Sequence, residues 1–215
     1  MRRFEDMPTL QNVTPGGRAT LQAPLGLAYD QIVFELTNVT PDDMKNFKVI
    51  TGSKAQWDVK DGSVIADLNE YYSRADETGF LTLWFYRPEM STEEERGLTT
   101  LGTSDIPSLT VQFDLDSAVT SPAINAFAVR RAAQPMGAIT KLREFPVTFA
   151  TSGEQDIDNI PRGARIAAMH LFKNDVSEVE LVANNGNGAG NLVEWRKPIL
   201  ETVQKQYGRT PLSAK

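Results

Sequence analysis

"APLGLAYDQIVFEL" (Ala23–Leu36) and "NIPRGARIAAMHLF" (Asn159–Phe172) each place Pro, one residue and Gly directly before an apolar run of strand length. In the first, Ile32, Phe34 and Leu36 fall on one side of an extended chain and Gln31, Val33 and Glu35 on the other, the period-two pattern of a half-buried strand. The same approach to a strand recurs about 135 residues later, and the order of the segments after each copy decides the fold.

After the first copy come an Asn/Asp turn, the run "FKVIT", a turn at Gly52-Ser53, Trp57, and "DGSVIADLNEYYSRADETG". That last stretch has helical spacing at Ile65, Leu68 and Tyr72, with Ser63 as the expected cap and Gly79 beyond the end. After the second copy come "KNDV", "VELVA", a Gly-rich loop, Trp195 and "RKPILETVQKQYG". There Pro198 suits a first helical turn, and Ile199, Val203 and Tyr207 recur every four residues. The offsets are 137 for Pro24 to Pro161, 138 for Trp57 to Trp195, 134 for Ile65 to Ile199 and 135 for Arg74 to Arg209. Two copies of one β unit stand in tandem.

Further runs lie between the copies. "GFLTLWFYRP", "SLTVQFDLD", "INAFAVRR" and "FPVTFA" all read as strands. Short strands separated by turn residues indicate an all-β sandwich or barrel. The expected division is an N-terminal arm over 1–16, a first roll over 17–135 and a second over 136–215. The second copy has no counterpart to the first copy's late strands, so the chain is expected to be a fragment, because unclosed strands leave sheet edges exposed.

Composition narrows the function. The 215 residues include no cysteine, which removes disulfides, thiolate metal sites and cysteine nucleophiles. A net charge of −6 argues against a nucleic-acid coat. "MRRFEDMPTLQNV" has no apolar run behind its arginines, so it does not read as a signal peptide, and nothing approaches a membrane span.

The carrying segments "APLGLAYDQIVFELTNV", "LNEYYSRADETGFLTLWFYRPE" and "LGTSDIPSLTVQFDLD", with "AVRRAAQPMGAITKLREF" joining the halves, resemble double jelly-roll major capsid proteins. The similarity is to the coat proteins of corticovirus-like phages, which are tailless, icosahedral and enclose a membrane. It implies a tandem jelly roll, each roll an antiparallel sandwich with one inserted helix, and no enzymatic activity. The implied partners are further copies in homotrimers with a pseudo-hexagonal outline, neighbouring capsomers, other virion proteins and the internal membrane surface. Nucleic acid is not a direct partner. The implied location is the virion shell, assembled in the host cytoplasm, with calcium as a structural ion.

Cupin enzymes share the jelly roll but need several histidines, and this chain has only His170, which reads as an ordinary strand residue. "NNGNGAGN" (Asn184–Asn191) lacks the Gly-Lys-Ser/Thr ending of a phosphate loop and reads as an inter-strand loop. Oxygen ligands for calcium are sought at Asp42 and Asp43, at Asp114 and Asp116, and at Glu154, Asp156 and Asp158, none with EF-hand spacing. "STEEERG" reads as an exposed acidic loop. Arg130 and Arg131 read as a polar strand end, with a subunit contact as the functional alternative. Arg2, Arg3 and Phe4 form the candidate membrane-facing arm, the arginines near anionic headgroups and Phe4 packed on a neighbour. The competing function, a carbohydrate-binding β-sandwich module, predicts a row of exposed aromatics on one sheet face.

Overall fold

The computed structural model describes residues 2–148, 153–158, 160, 166–173, 175–184 and 189–212. The chain divides into two compact units, Met1–Glu144 and Phe145–Lys215.

In the first unit, alternation makes the strands and sidedness makes the layers. The strand β3 (Ala28–Thr37) buries Ile32, Phe34 and Leu36 and leaves Gln31, Val33 and Glu35 half-covered, as its sequence pattern requires. It lies in a four-stranded sheet with β1 (Arg3–Asp6), β6 (Phe80–Trp84) and β8 (Ala123–Arg131), in the order β1-β8-β3-β6. A five-stranded sheet has the order β2-β7-β4-β5-β9. Its members are β2 (Arg18–Ala23), β4 (Met44–Thr51), β5 (Lys54–Asp61), β7 (Leu109–Leu115) and β9 (Leu142–Arg143). From β2 to β8 the chain crosses repeatedly between the sheets, so most neighbours within a sheet are distant in sequence. That is the wiring of a jelly roll.

Three phenylalanines join the layers. Phe47 and Phe113, on adjacent strands of the five-stranded sheet, stack with centroids 5.5 Å apart and an interplanar angle of 3°. Phe34, from the other sheet, meets both edge-on at 6.4 and 6.1 Å. All three are essentially buried. Such pairs add roughly 0.5–1.5 kcal/mol each beyond the burial of their area.

The expected hairpin is present: β4 and β5 pair antiparallel around Gly52-Ser53, with Thr51 opposite Lys54. The expected helix comes next as α1 (Gly62–Tyr71), but its cap is Asp61 rather than Ser63. The Asp61 carboxylate accepts bonds from the backbone N–H and the hydroxyl of Ser63. The earlier start lets the helix bury Val64 and Ile65 together.

Within the expected N-terminal arm over 1–16, Arg3–Asp6 pair with Phe127–Arg130, Leu10 is buried, and Gln11 bridges to Thr20. Several features depart from the sequence reading. "STEEERG" contains a one-turn helix, α2 (Glu93–Gly97), closed by a reciprocal capping box between Thr92 and Glu95. The sequence pattern does not mark β2 or β9 as strands, and "FPVTFA" forms no strand over its described residues 145–148.

The second unit contains an antiparallel hairpin of β10 (Glu178–Asn184) and β11 (Ala189–Arg196), followed at once by α3 (Lys197–Gln206). Helices α1 and α3 have the same length, start 135 residues apart and each follow a hairpin directly. The tryptophans do not share this register. Trp57 stands five residues before Gly62 and Trp195 two before Lys197. An odd displacement reverses the face a strand residue occupies, and Trp57 is buried while Trp195 is 41% exposed. Pro161 and Gly163 lie outside the described residues. Residues 166–173, expected as a strand, form none. The expected loop Asn184–Asn191 is described only at its flanks, where Asn184 and Ala189–Asn191 belong to β10 and β11.

Candidate functional site

The Pro-x-Gly turn into β3 is a built feature. Gly26 has φ of +102°, a conformation that L side chains rarely adopt, and it turns the chain so that the Pro24 carbonyl faces inward. That carbonyl accepts the Tyr29 hydroxyl at 2.6 Å and Arg130 Nη2 at 3.1 Å. Arg130 also donates from Nη2 to the Leu25 carbonyl and from Nη1 to Glu5 at 2.8 Å, and lies 4.7 Å from the Tyr29 ring centroid. Burial pushes the Tyr29 hydroxyl up to about 12. The nearby Arg130 charge opposes that shift and Glu5 adds to it.

One residue on, β3 carries a bulge between Tyr29 and Gln31, which sets Asp30 out of the regular alternation. Its carboxylate is 1% exposed. Arg131 donates Nε to Oδ1 at 2.6 Å and Nη2 to Oδ2 at 2.9 Å. Arg2 donates Nε to Oδ2 at 3.0 Å, and the Thr100 hydroxyl donates to Oδ1 at 3.2 Å. The Tyr86 ring has Arg2 4.5 Å and Arg131 5.1 Å from its centroid, and its hydroxyl donates to Glu93 at 3.0 Å. Glu93 also receives Arg2 and Arg131, so two cations balance two anions. The cluster ties together the N-terminal segment, β3, α2 and the end of β8. Each of its four charged groups is paired with another member of the cluster.

Arg130 and Arg131 are thus internal ligands rather than a polar strand end. Arg2 is engaged within the first unit, whereas Arg3 and Phe4 are exposed. Sequence reasoning missed Asp30 altogether. The available signal was an acid inside an apolar strand together with an arginine pair.

The acidic positions are dispersed. Asp114 receives Arg18 at 2.6 and 3.1 Å and Asn46 at 2.9 Å, and its carboxyl is held below the usual range chiefly by Arg18. Asp43 caps a 3-10 turn (Pro41–Asp43) by accepting the Thr40 N–H and hydroxyl. Asp116 accepts the Ala118 N–H, and its own N–H donates to the Asp43 carbonyl, so these two stretches meet at one end of the roll. Asp42, Asp156 and Asp158 are exposed. Among the described residues, no three His, Cys, Asp or Glu side chains are grouped to hold a metal ion. His170 in the second unit titrates below its ordinary value because of burial and the Arg209 charge.

A jelly-roll β-sandwich tied by internal ion pairs is an architecture common among viral capsid proteins. Family models agree: the viral coat protein P2 N-terminal domain matches residues 4–131 and the P2 C-terminal domain matches residues 139–215. The chain belongs to the viral coat protein P2 family.

Among its relatives is the major capsid protein P2 of Pseudoalteromonas phage PM2, 26% identical over 223 residues, with 99% of this chain and 80% of that protein aligned. The crystal structure of the major capsid protein P2 from Bacteriophage PM2 matches with a TM-score of 0.83, again over 99% of this chain and 80% of that one. The fold is a double jelly roll, and the protein is a structural, non-enzymatic component of a viral capsid. It self-associates in the virion shell together with other virion components. Family membership sets aside the carbohydrate-module alternative.

Proposed function

We propose that this chain is the major coat protein of an icosahedral, membrane-containing phage and that it builds the shell as homotrimeric capsomers. The observation that carries this reading is the match of separate N-terminal and C-terminal coat-protein domains across nearly the whole chain. Two related rolls per chain and three chains around an axis give six similar units, a near-hexagonal outline that tiles a closed surface. The work is geometric, done by lateral contacts of rigid sandwiches.

In this reading assembly takes place in the host cytoplasm. The internal membrane is met from the side of exposed Arg3, since Arg2 is held by Asp30 and Glu93. Structural calcium belongs at contacts between copies, where the exposed Asp42, Asp156 and Asp158 gain carboxylates or carbonyls from a neighbour.

Native mass measurement of the full chain, together with electron microscopy of concentrated samples, tests the proposal. The expected result is a trimer, with capsomer-like or shell-like particles at higher concentration. A strict monomer at high micromolar concentration that never appears in particles overturns it.

A further inference from the structure

Without β9 the five-stranded sheet would end on β5, and a strand of eight residues would offer its outward N–H and C=O groups to any extended chain. The segment 136–144 lies along that edge. Leu142 and Arg143 pair in parallel with Trp57 and Asp58. On either side of this short ladder side chains take over. Glu144 accepts the Lys60 N–H at 2.7 Å, and Arg143 Nη2 donates to the Ala55 carbonyl at 3.3 Å. The Trp57 indole N–H donates to the Thr140 carbonyl at 2.9 Å, and Arg87 donates to the Thr140 hydroxyl at 2.8 Å. Ile139 and Leu142 pack against the core, and Asp105 holds the Met136 N–H at 2.7 Å. The segment is seated on the first unit from end to end, although the match to the P2 C-terminal domain begins at residue 139.

The manner of seating argues for closure of an edge rather than for extension of a sheet. Two paired residues add little ladder, and exposed Lys141 and Glu144 flank them, so β9 presents no new edge of strand length. The edge of the other sheet is treated in the same way. On β6 the Thr82 N–H donates to Asp76 at 2.9 Å, and the Thr82 carbonyl accepts Asn69 Nδ2 at 2.8 Å. The Phe80 N–H donates to the Glu77 carbonyl. These are backbone groups that an added strand would need.

We propose that residues 136–144 are an edge guard of the first roll, closing β5 against strand addition by a second copy of this chain. The occupant excluded is the β5 of that copy, because two identical edges meet about a two-fold axis with every contact made twice. The guard does not rest on the coat-protein reading, since it concerns what the chain's own segment keeps out.

The test uses the full-length chain with Leu142→Ser, Arg143→Ala and Glu144→Ala combined. Amide hydrogen exchange is read at Lys60 and, as a control of the fold, at Val111, which lies between β2 and β4. In dilute solution Lys60 should exchange about tenfold faster than in the parent, the worth of one lost bond to a charged group, with Val111 unchanged. Raising the concentration should restore protection at Lys60 together with a dimer additional to any assembly of the parent, seen by native mass measurement. Glu144→Gln alone, which keeps an acceptor for the Lys60 N–H, should stay within a few-fold of the parent. Fast exchange at Lys60 at every concentration with no added dimer overturns the proposal. So does unchanged exchange at Lys60 in the triple variant, and so does equal acceleration at Val111, which makes the segment part of the core. Whether the parent itself is a trimer tests the capsomer reading separately.

Discussion

A fully buried carboxylate between two guanidiniums is stable only while its partners stay. Asp30→Ala leaves Arg131 in a covered site with only the exposed Glu93, at 3.4 Å, as counter-charge, and breaking a buried pair costs up to about 3–5 kcal/mol. Arg2 is 42% exposed, so Arg2→Ala should cost about 1 kcal/mol or less. Urea unfolding of both variants checks the contrast, and equal effects would refute it. Asp61 supports a pH prediction. Its burial favours the neutral acid, but bonds from Ser63 and the charges of Lys60 and Lys45 outweigh that and hold its carboxyl below the usual range. The charged form therefore adds stability above the unfolded value, roughly pH 4, and the contribution fades as pH falls through the lower folded value. Asp61→Asn can still cap α1 but lacks this charge. Its deficit against the parent should be largest at pH 7 and shrink towards pH 3. At this scale little of the site was legible. Arg130 and Arg131 were visible as a charged pair, but the partner of Arg131 lies 101 positions away, and a bulge that re-aims one aspartate leaves no periodic trace.

At the scale of elements, two glycines carry opposite burdens. A methyl added at Gly26 meets open space, so Gly26→Ala tests backbone conformation alone and should cost about 1–2 kcal/mol. A methyl at Gly102 would fall 2.0 Å from the Pro135 carbonyl, inside the peptide itself. Gly102→Ala should therefore displace the segment around Pro135, seen as faster hydrogen exchange at Met136, whose N–H is bonded to Asp105. Unchanged exchange there would show that the close approach is not needed. Hairpins and helices were the most legible elements, because turn residues and three-to-four spacing are local signals. The short strands β1 and β9 were not, since four or two residues hold no period and their pairing depends on remote partners. The turn at α2 was readable in principle: Thr92 and Glu95 have the spacing of a capping box, masked by the run of three glutamates.

For the whole molecule, the tandem plan was legible in the repeated order and near-constant offset, and it survives in the equal helices α1 and α3. The tryptophan equivalence did not survive, because order is preserved by topology whereas face is lost by any odd slip. The sheets of the first roll also impose a timetable on its making. Arg3 pairs with Arg130 and Arg18 with Asp114, so strands that touch are synthesised far apart. At about 5–20 residues per second, β1 waits roughly 6–25 seconds for β8 to leave the ribosome. Loop closures of this length must precede most native contacts, which places refolding in the millisecond-to-second range of high-contact-order sandwiches. Stopped-flow fluorescence of Trp57 and Trp84 would measure it, and a microsecond phase carrying the full amplitude would contradict the expectation. During that interval β1 and β3 lack the strand that lies between them in the finished sheet, and nascent chains on neighbouring ribosomes offer one another the same unpaired strands. For a coat protein wired in this way, the vulnerable moment is synthesis, before distant strands find one another.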